Sequence, residues 1–344
     1  MTRYLPWAGL AILAVTPLLG LGNYPLHLLI MVLLWGYVYT SWSIMGRLGL
    51  VSFGHGAFLG IGAYVATMGW NHYGLTPWMG VPIALAVTAI VAFLIGYPCF
   101  RYKIVGHYFA LVTLALSEVT RLLIVALRDY TGGSLGVTPN TALADTSYSL
   151  LALQFSNKLV WFYIVLAFWL AGLWIWRKVD QSMGRLALEA ISQEEDAAAS
   201  IGINVTRLKL GVTMISALMT CIGGVLYAQY QLYVNPETVS GIGISLQMVF
   251  GVIAGGMYVR LGPTVGAAFT LLLAEGLRLG FGNKFHALDT TVYGLMLVLF
   301  IIYMPKGILG GLIEALGRKR SGVAAVQPGI NPPSRPSPSR PSST

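Results

Sequence analysis

The chain has 344 residues, of which 56% are hydrophobic and only 10% are charged. A soluble domain carries roughly 25% charged residues, so this composition excludes an ordinary water-soluble fold. The apolar runs, each about 20 residues long, suffice to cross a bilayer and lack the alternation of a β-barrel strand. The net charge of +9 does not indicate nucleic-acid binding, because cations on membrane proteins gather on short loops. We predict an all-α, polytopic integral membrane protein.

About ten apolar runs are long enough to be membrane spans. The first run follows Arg3, so it has the charged start of a signal peptide. It lacks a small-residue cleavage site, however, and is therefore predicted to be a membrane span. The two cysteines, Cys99 and Cys221, lie in apolar runs and indicate neither a disulfide framework nor a metal site. The predicted spans are residues 5–21, 25–45, 50–70, 78–97, 104–127, 158–176, 208–229, 243–259, 263–281 and 288–304.

Lysine and arginine are distributed unequally between the two sets of loops. Short cytoplasmic loops keep an excess of these cations, so the richer set is predicted to be cytoplasmic, together with both termini. The poorer set holds only Arg128, Lys158 and Lys284. The richer set holds Arg3, Arg47, Arg101, Lys103, Arg177, Lys178, Arg185, Arg207, Lys209, Arg260, Lys306, Arg318, Lys319 and Arg320.

Residues 177–209, here called the polar island, separate two hydrophobic halves of the chain. Small residues fill the middle of the island, and Gly202 follows them, where a helix can end with positive φ. The pattern predicts a short surface helix and then a turn. Two interpretations are open: a docking surface for a cytoplasmic partner, or an amphipathic linker at the lipid headgroups.

The third span has closely spaced glycines and a polar start. Glycines let a second helix approach tightly or let the span break, so we expect helix packing or a place on a translocation path. For the histidine, a hydrogen-bonded structural role is preferred over chemistry. The residues concerned are Ser52, Gly54, His55, Gly56, Gly60 and Gly62.

Two spans carry a glutamate followed three residues later by an arginine. These pairs are Glu118 with Arg121 and Glu275 with Arg278. Residues three apart share a helix face, so each pair partly neutralises its charge within the membrane. The repeat of the pattern after 157 residues favours two structurally related halves. A role in locking helices together is preferred over contact with the substrate.

Two longer loops are predicted outside, at about residues 129–158 and 230–245. The first contains Thr131, Gly132 and Gly133, a turn-prone run that could present backbone N–H groups at an external mouth. Residues 1–312 form the predicted permease domain. Residues 313–344 are polar and rich in proline and serine, and they are predicted to be a disordered cytoplasmic tail.

Several catalytic motifs are missing from the sequence. It contains no G-x-x-x-x-G-K-[ST] phosphate loop, no H-E-x-x-H zinc motif, and no recognisable Ser, His and Asp arrangement. We therefore predict a transport subunit without an ATPase of its own, rather than an enzyme.

Four stretches together resemble one family. They are SFGHGAFLGIGAYVAT, GHYFALVTLALSEVTRLL with TGGSLGV downstream, EEDAAASIGINVTRLKL, and GGMYVRLGPTVGAAF. In this order they resemble the M-type permease of branched-chain amino-acid ABC importers over residues 40–310. The last stretch departs from the glycine-rich family pattern at Met257, Tyr258 and Val259, and the tail lies outside it.

The resemblance implies a subunit of the bacterial cytoplasmic (inner) membrane that binds no cofactor and forms the path for branched-chain amino acids. It implies a homologous second permease, two cytoplasmic ATP-binding subunits that use ATP and Mg²⁺, and a periplasmic solute-binding protein. The polar island then resembles the family's coupling segment. This places five residues at or near an ATPase groove: Glu194, Glu195, Ala198, Gly202 and Ile203.

Three alternatives remain open from the sequence. The first is a permease of the same fold for another solute, such as urea, an amide, or an aromatic or aliphatic carboxylate. The second is an ion-coupled secondary transporter with Glu118 and Glu275 as carriers, although a nearby arginine holds each carboxylate ionised. The third is a lipid-modifying membrane enzyme, which the missing nucleophile and metal motifs disfavour.

Overall fold

The protein is described here from a computed structural model. The structure describes residues 13–20, 22–47, 49–140 and 152–281, and a few positions between 291 and 311. These residues form helices, two short 3₁₀ turns and one isolated antiparallel bridge, between Val137 and Val234. The prediction of an all-α protein is confirmed.

Twelve α-helices are labelled in chain order. The long ones are α1 (Asn23–Gly46), α2 (His55–Tyr73), α3 (Pro77–Arg101), α4 (His107–Ala126), α6 (Lys158–Asp180), α9 (Val205–Gln231), α11 (Ile242–Gly255) and α12 (Gly262–Phe281). The short ones are α5 (Arg128–Thr131), α7 (Met183–Gln193), α8 (Glu195–Ser200) and α10 (Pro236–Val239). Each predicted span between residues 25 and 281 coincides with a helix. The runs 5–21 and 288–304 and the tail lie largely outside the described residues.

Among the described residues, six helical stretches are long and apolar enough to cross a membrane: α1, α3, α4, α6, α9, and α10 with α11. The chain is therefore a polytopic membrane protein. In α1, 83% of the apolar window is buried within the protein, whereas in α3 and α4 only 28% is buried. Helix α1 therefore lies at the centre of the bundle, whereas α3 and α4 lie at its periphery. The outer faces of α3 and α4 carry exposed apolar side chains, such as Leu94 and Leu111, which suit contact with lipid.

Helix α2 is more polar than these stretches, yet it lies buried against α9. The two backbones meet through reciprocal glycines: a Cβ at Gly62 would overlap the carbonyl of Cys221, and a Cβ at Gly224 would overlap the carbonyl of Leu59. Close backbone approach through small residues is a usual way to join helices in a membrane. The glycines that the sequence singled out at Gly60 and Gly62 are therefore contact positions, since Gly60 also lies against Ser240.

Helices α11 and α12 form a second tight pair. A Cβ on Gly255 would overlap the carbonyl of Gly262, and a Cβ on Gly266 would overlap the carbonyl of Gly251. A Cβ on Gly262 would overlap the carbonyl of Gly256, which follows α11. The connection between the two helices leaves Tyr258 74% exposed, so this side chain does not disturb the contact.

The helices have two distinct ends. At the island end, Arg47, just after α1, and Lys103, just after α3, form ion pairs with Asp180 and Asp196 of the polar island. At the loop end, Trp70 Nε1 donates to the carbonyl of Asn140, and Lys158 Nζ donates to the carbonyl of Asn23. The Val137–Val234 bridge lies there too, joining the two longer loops.

The contact between α2 and α9 can be tested by adding one methyl group. We expect Gly62→Ala to destabilise the fold by about 1–3 kcal/mol, because its Cβ meets a backbone carbonyl that cannot move aside. Gly69→Ala is the matched control in the same helix, since its Cβ would lie 3.8 Å from Leu75. Thermal unfolding of the purified protein in detergent measures both, and equal midpoints would contradict this packing role.

Candidate functional site: the polar island and the buried polar residues

The polar island begins within α6, which runs on to Asp180, and continues as α7. Leu188 and Ile191, three positions apart, lie on one face of α7 and are buried against the bundle. Leu186 is 61% exposed on the other face. Helix α7 therefore lies on the protein with a clear inner side.

The island contains two helices, not the one predicted. Glu194 has an extended backbone, with φ −151° and ψ 103°, and separates α7 from α8. Gly202 then takes φ +88°, as expected for the turn, and the Asn204 side chain caps α9 by accepting a hydrogen bond from the backbone of Arg207. The sequence pattern missed the break because glutamate is compatible with a continuous helix.

A buried ion pair holds α8 to α9. Lys209 Nζ lies 2.5 Å from Glu195 Oε2, and the two side chains are only 6% and 19% exposed. A second pair, Lys103 Nζ to Asp196 Oδ1 at 2.5 Å, is solvent-exposed. The hydrogen bond between them raises the pKa of Lys103 and lowers the pKa of Asp196. Both groups therefore stay charged over the physiological pH range.

A cluster of charges joins the island to α1. Asp180 Oδ1 accepts from Arg47 Nη1 at 2.7 Å and lies 3.3 Å from Arg185 Nη1. The Arg47 guanidinium also stacks 4.0 Å from the ring centre of Trp176. Sequence analysis placed Arg47 and Arg185 on one side of the membrane, but it did not identify Asp180 as their shared partner.

The five residues assigned to coupling divide into two groups. Glu194 and Gly202 are exposed, and Ile203 is half-buried. Glu195 and Ala198 face inward, the former in the ion pair with Lys209 and the latter only 3% exposed. Ile201, which the sequence interpretation passed over, is 75% exposed. The accessible tip of the island therefore includes Glu194, Ile201 and Gly202.

His55 lies in a buried polar cluster between α1, α2 and α9. His55 Nε2 is 2.7 Å from Ser216 Oγ, which itself donates to the carbonyl of Ser41. Ser52 is also buried; its hydroxyl accepts from Gly54 N, and its carbonyl accepts from Trp42 Nε1. These contacts join helices, whereas His55 Nδ1 is buried without a hydrogen-bond partner among the described residues. The structural role of His55 stays a prediction.

A second set of buried hydroxyls lies around Gly56. Its N–H donates to Ser245 Oγ at 3.0 Å, and Ser245 Oγ lies 3.2 Å from Ser117 Oγ. Ser117 also donates to the carbonyl of Ser240. Sequence analysis found Gly56 but missed the serines, since single serines in apolar runs carry no distinctive spacing.

Glu118 and Arg121 pair on α4 as predicted, and Arg121 has a second carboxylate partner. Arg121 Nη1 lies 2.7 Å from Glu237 Oε1, at the start of α10. The side chains of Glu118 and Arg121 are 31% and 23% exposed, so the pair lies at the protein surface near the loop end. In the other predicted pair, Glu275 accepts a hydrogen bond from the hydroxyl of Tyr24, whereas the Arg278 side chain lies outside the described part.

The Thr131–Gly133 turn uses its polar groups locally. Thr131 Oγ1 donates to the carbonyl of Ile124 and accepts from Gly133 N. The N–H of Gly132 donates to the carbonyl of Arg128. A Cβ on Gly132 would overlap the carbonyl of Gly136, so glycine is needed for the close turn at its φ of +75°.

The two ion pairs of α8 predict that losing the buried pair lowers local stability more than losing the exposed pair. Lys209→Met leaves the Glu195 carboxylate buried without its cation, and we expect a loss of about 3–5 kcal/mol in local stability. Lys103→Met removes an exposed partner from Asp196 and should change little. Hydrogen exchange over residues 195–204 compares the two variants, and equal protection in both would refute the anchoring role of Lys209.

Arg121 pairs with both Glu118 and Glu237, so we predict that removing these two carboxylates has non-additive effects on the yield of assembled protein. Glu118→Ala alone leaves Arg121 with Glu237, so we expect assembled protein at a modestly reduced yield. Combining it with Glu237→Ala removes both carboxylates, and the yield should fall by more than the two single losses together. Size-exclusion profiles of the three variants measure this, and strictly additive losses would show that the two carboxylates act independently.

The family described as "Branched-chain amino acid transport system / permease component" matches residues 24–301. The LivM high-affinity branched-chain amino acid transport system permease protein of Salmonella typhimurium is 30% identical, over 77% of this chain and 65% of its own length. The probable LivM permease protein of Methanocaldococcus jannaschii is 23% identical, over 78% of this chain and 80% of its own.

The LivH permease protein of Salmonella typhimurium is 26% identical, over 78% of this chain and 88% of its own length. The chain thus spans less than two thirds of the Salmonella LivM protein but most of LivH. No solved structure matches the chain. The match to the family covers more than half of the sequence, and the chain therefore belongs to the branched-chain amino acid transport system permease components.

Proposed function

We propose that this protein is the transmembrane permease subunit of an ATP-binding-cassette importer for branched-chain amino acids. One observation carries the proposal: a chain of this family presents an anchored polar island with an exposed tip. Ion pairs at Lys209 and Arg47 hold the island to α9 and α1, while Glu194 and Ile201 remain accessible. An anchored surface of this kind suits a partner that exerts force, because movement of the island must move the bundle.

The island end is proposed to face the cytoplasm. The cations Arg47, Lys103 and Arg185 lie there, while Arg128 and Lys158 lie on segments at the loop end. Cytoplasmic loops keep an excess of such cations. The proposed topology is about ten membrane-spanning helices in two related halves, with both termini in the cytoplasm and the bacterial inner membrane as the location.

The proposed partners act on opposite ends. Two cytoplasmic ATP-binding subunits, which use ATP and Mg²⁺, dock on the polar island, and a periplasmic solute-binding protein docks on the loop end. A homologous second permease completes the path; in support, this chain is similar to both LivM and LivH of one organism. The proposed solute follows from these relatives, which are branched-chain amino acid permease proteins.

The contacts suggest how movement is transmitted. Lys209 couples α8 to the first turns of α9, and α9 is in backbone contact with α2 at Gly62 and Gly224. A displacement of the island therefore reaches α2 through packed elements rather than through a flexible linker. ATP-driven closure of the docked subunits would shift the balance between outward-open and inward-open arrangements.

A proton- or ion-coupled transporter is the main competing class. Its obvious carrier, Glu118, is held by Arg121, which also contacts Glu237. Such contacts favour the ionised carboxylate and oppose proton uptake. Uptake that stops without ATP but continues without an ion gradient would exclude this class. The ligand of the binding protein would distinguish branched-chain amino acids from urea, amides or other carboxylates.

The exposed tip of the island should control how ATP hydrolysis is coupled to uptake. We expect Glu194→Lys or Ile201→Arg to reduce ATP-driven uptake about tenfold or more in reconstituted vesicles, because both change the centre of the proposed interface. Membrane insertion should be unchanged, since neither side chain packs inside the bundle. Gly202 is less suitable, because any side chain there is strained at its positive φ.

Gln181→Lys is the matched control, as it adds a positive charge at an exposed position near the start of the island. Uptake by this variant should stay near the wild-type rate. If Glu194→Lys and Ile201→Arg also transport at the wild-type rate per ATP hydrolysed, the island tip is not the docking surface.

A further inference from the structure

The outward face of α6 carries a continuous row of exposed residues. Val160 and Tyr163 are exposed near the loop end, Ala167 and Ala171 are exposed midway, and Trp174 is 61% exposed near the island end. Successive members of this row are three or four positions apart, so they share one face of the helix. The row therefore presents a mainly apolar surface to the surroundings of the bundle, as expected for contact with lipid.

Two cations follow directly on the same face. Arg177 and Lys178 lie three and four positions after Trp174, and both are exposed. Lys178 Nζ lies 5.6 Å from the centre of the Trp174 ring, in a cation–π contact. Neither cation forms an ion pair within the described part of the chain, and the carboxylate nearest in sequence, Asp180, is already shared by two other arginines. The end of α6 therefore offers two adjacent positive charges to a partner.

The two lysines of α6 lie as far apart as a bilayer core is thick. Lys158 begins the helix and Lys178 follows 20 positions later, or about 30 Å along the helix axis. The hydrocarbon core is also about 30 Å thick. Trp174 lies about 6 Å inside the boundary that Lys178 marks. Indole rings concentrate at this boundary, and long basic side chains extend past it to the headgroups.

The order of these groups along α6 favours a lipid over a protein partner. Towards the island end the face changes from methyl groups to an indole ring and then to cations. Acyl chain, glycerol region and headgroup follow one another in the same order within one leaflet. Two adjacent cations complement a lipid of net negative charge, whereas a zwitterionic headgroup brings a cation of its own.

We propose that the island end of α6 binds an anionic phospholipid in preference to a zwitterionic one. Arg177 and Lys178 hold the headgroup phosphate, and the indole of Trp174 lies at the level of the glycerol region. One acyl chain lies along Ala171 and Ala167. The lipid site requires only that α6 spans the membrane, whereas its assignment to the cytoplasmic leaflet rests on the proposed orientation.

Site-specific photocrosslinking tests the proposal. Benzoylphenylalanine replaces Ala171, and the full-length protein is purified with its associated subunits and placed in lipid nanodiscs. The nanodiscs contain equal amounts of phosphatidylglycerol and phosphatidylcholine, which have identical acyl chains and carry different radioisotopes. We expect phosphatidylglycerol to be crosslinked about tenfold more than phosphatidylcholine. The ratio should fall to about one when Arg177→Gln and Lys178→Gln are combined, because both charges are then lost.

Arg101→Gln is the matched control, because Arg101 is also an exposed cation of the island end without an ion pair in the described ranges, but it lies on α3. It should leave the ratio at position 171 unchanged. If the crosslinker at position 171 prevents assembly, the exposed position of Ala167, one turn earlier, carries it instead.

Four outcomes would overturn the proposal: equal crosslinking of the two lipids in the wild type, a preference that survives the double substitution, an equal fall in Arg101→Gln, or crosslinking to another protein chain in place of lipid. Each of them leaves ATP-driven uptake, and with it the proposed function, to be tested separately.

Discussion

The close contact between α2 and α9 is the constraint on which most of the structure depends. In lipid there is little hydrophobic force between helices, so association relies on packing and on small residues that let backbones approach. Gly62 and Gly224 supply that approach in reciprocal positions. Most residues of α2 between His55 and Thr67 are buried, so this contact fixes α2 inside the bundle. Its position in turn brings His55 to Ser216 and Gly56 to Ser245.

Helix α9 connects the island end to the loop end. It begins near Lys209, which anchors the polar island, and it ends near Gln229, which borders a cavity at the loop end. These residues are 20 positions apart, or about 30 Å along the helix axis. A helix in contact with both ends of the protein provides a direct physical connection between the polar island and the loop end.

The polar groups within the bundle fall into two classes. Most buried serines and threonines between helices hydrogen-bond to one another or to the backbone, and they therefore stabilise a defined arrangement. The Gln229 amide, His55 Nδ1 and Thr88 Oγ1 differ because they are buried and unpaired among the described residues. A group of this second class is costly to the fold unless a ligand or water completes its hydrogen bonds, which distinguishes binding from packing.

Much of this protein was determined by local features of the sequence. Apolar runs located the helices between residues 25 and 281, positive φ at Gly202 followed from its position after small residues, and a three-residue spacing paired Glu118 with Arg121. These features follow from hydropathy, backbone sterics and helical periodicity, all of which act over a few residues.

Tertiary structure alone decided the rest. In the folded protein, Glu195 pairs with Lys209 and Ile201 is exposed. Arg47 pairs with Asp180, and Arg121 pairs with Glu237 as well as with Glu118. The tertiary structure also brought Gln229 and Lys158, which are 71 positions apart in the chain, to the wall of one cavity. Such contacts join residues far apart in the chain, so they depend on how the helices pack and no local pattern encodes them.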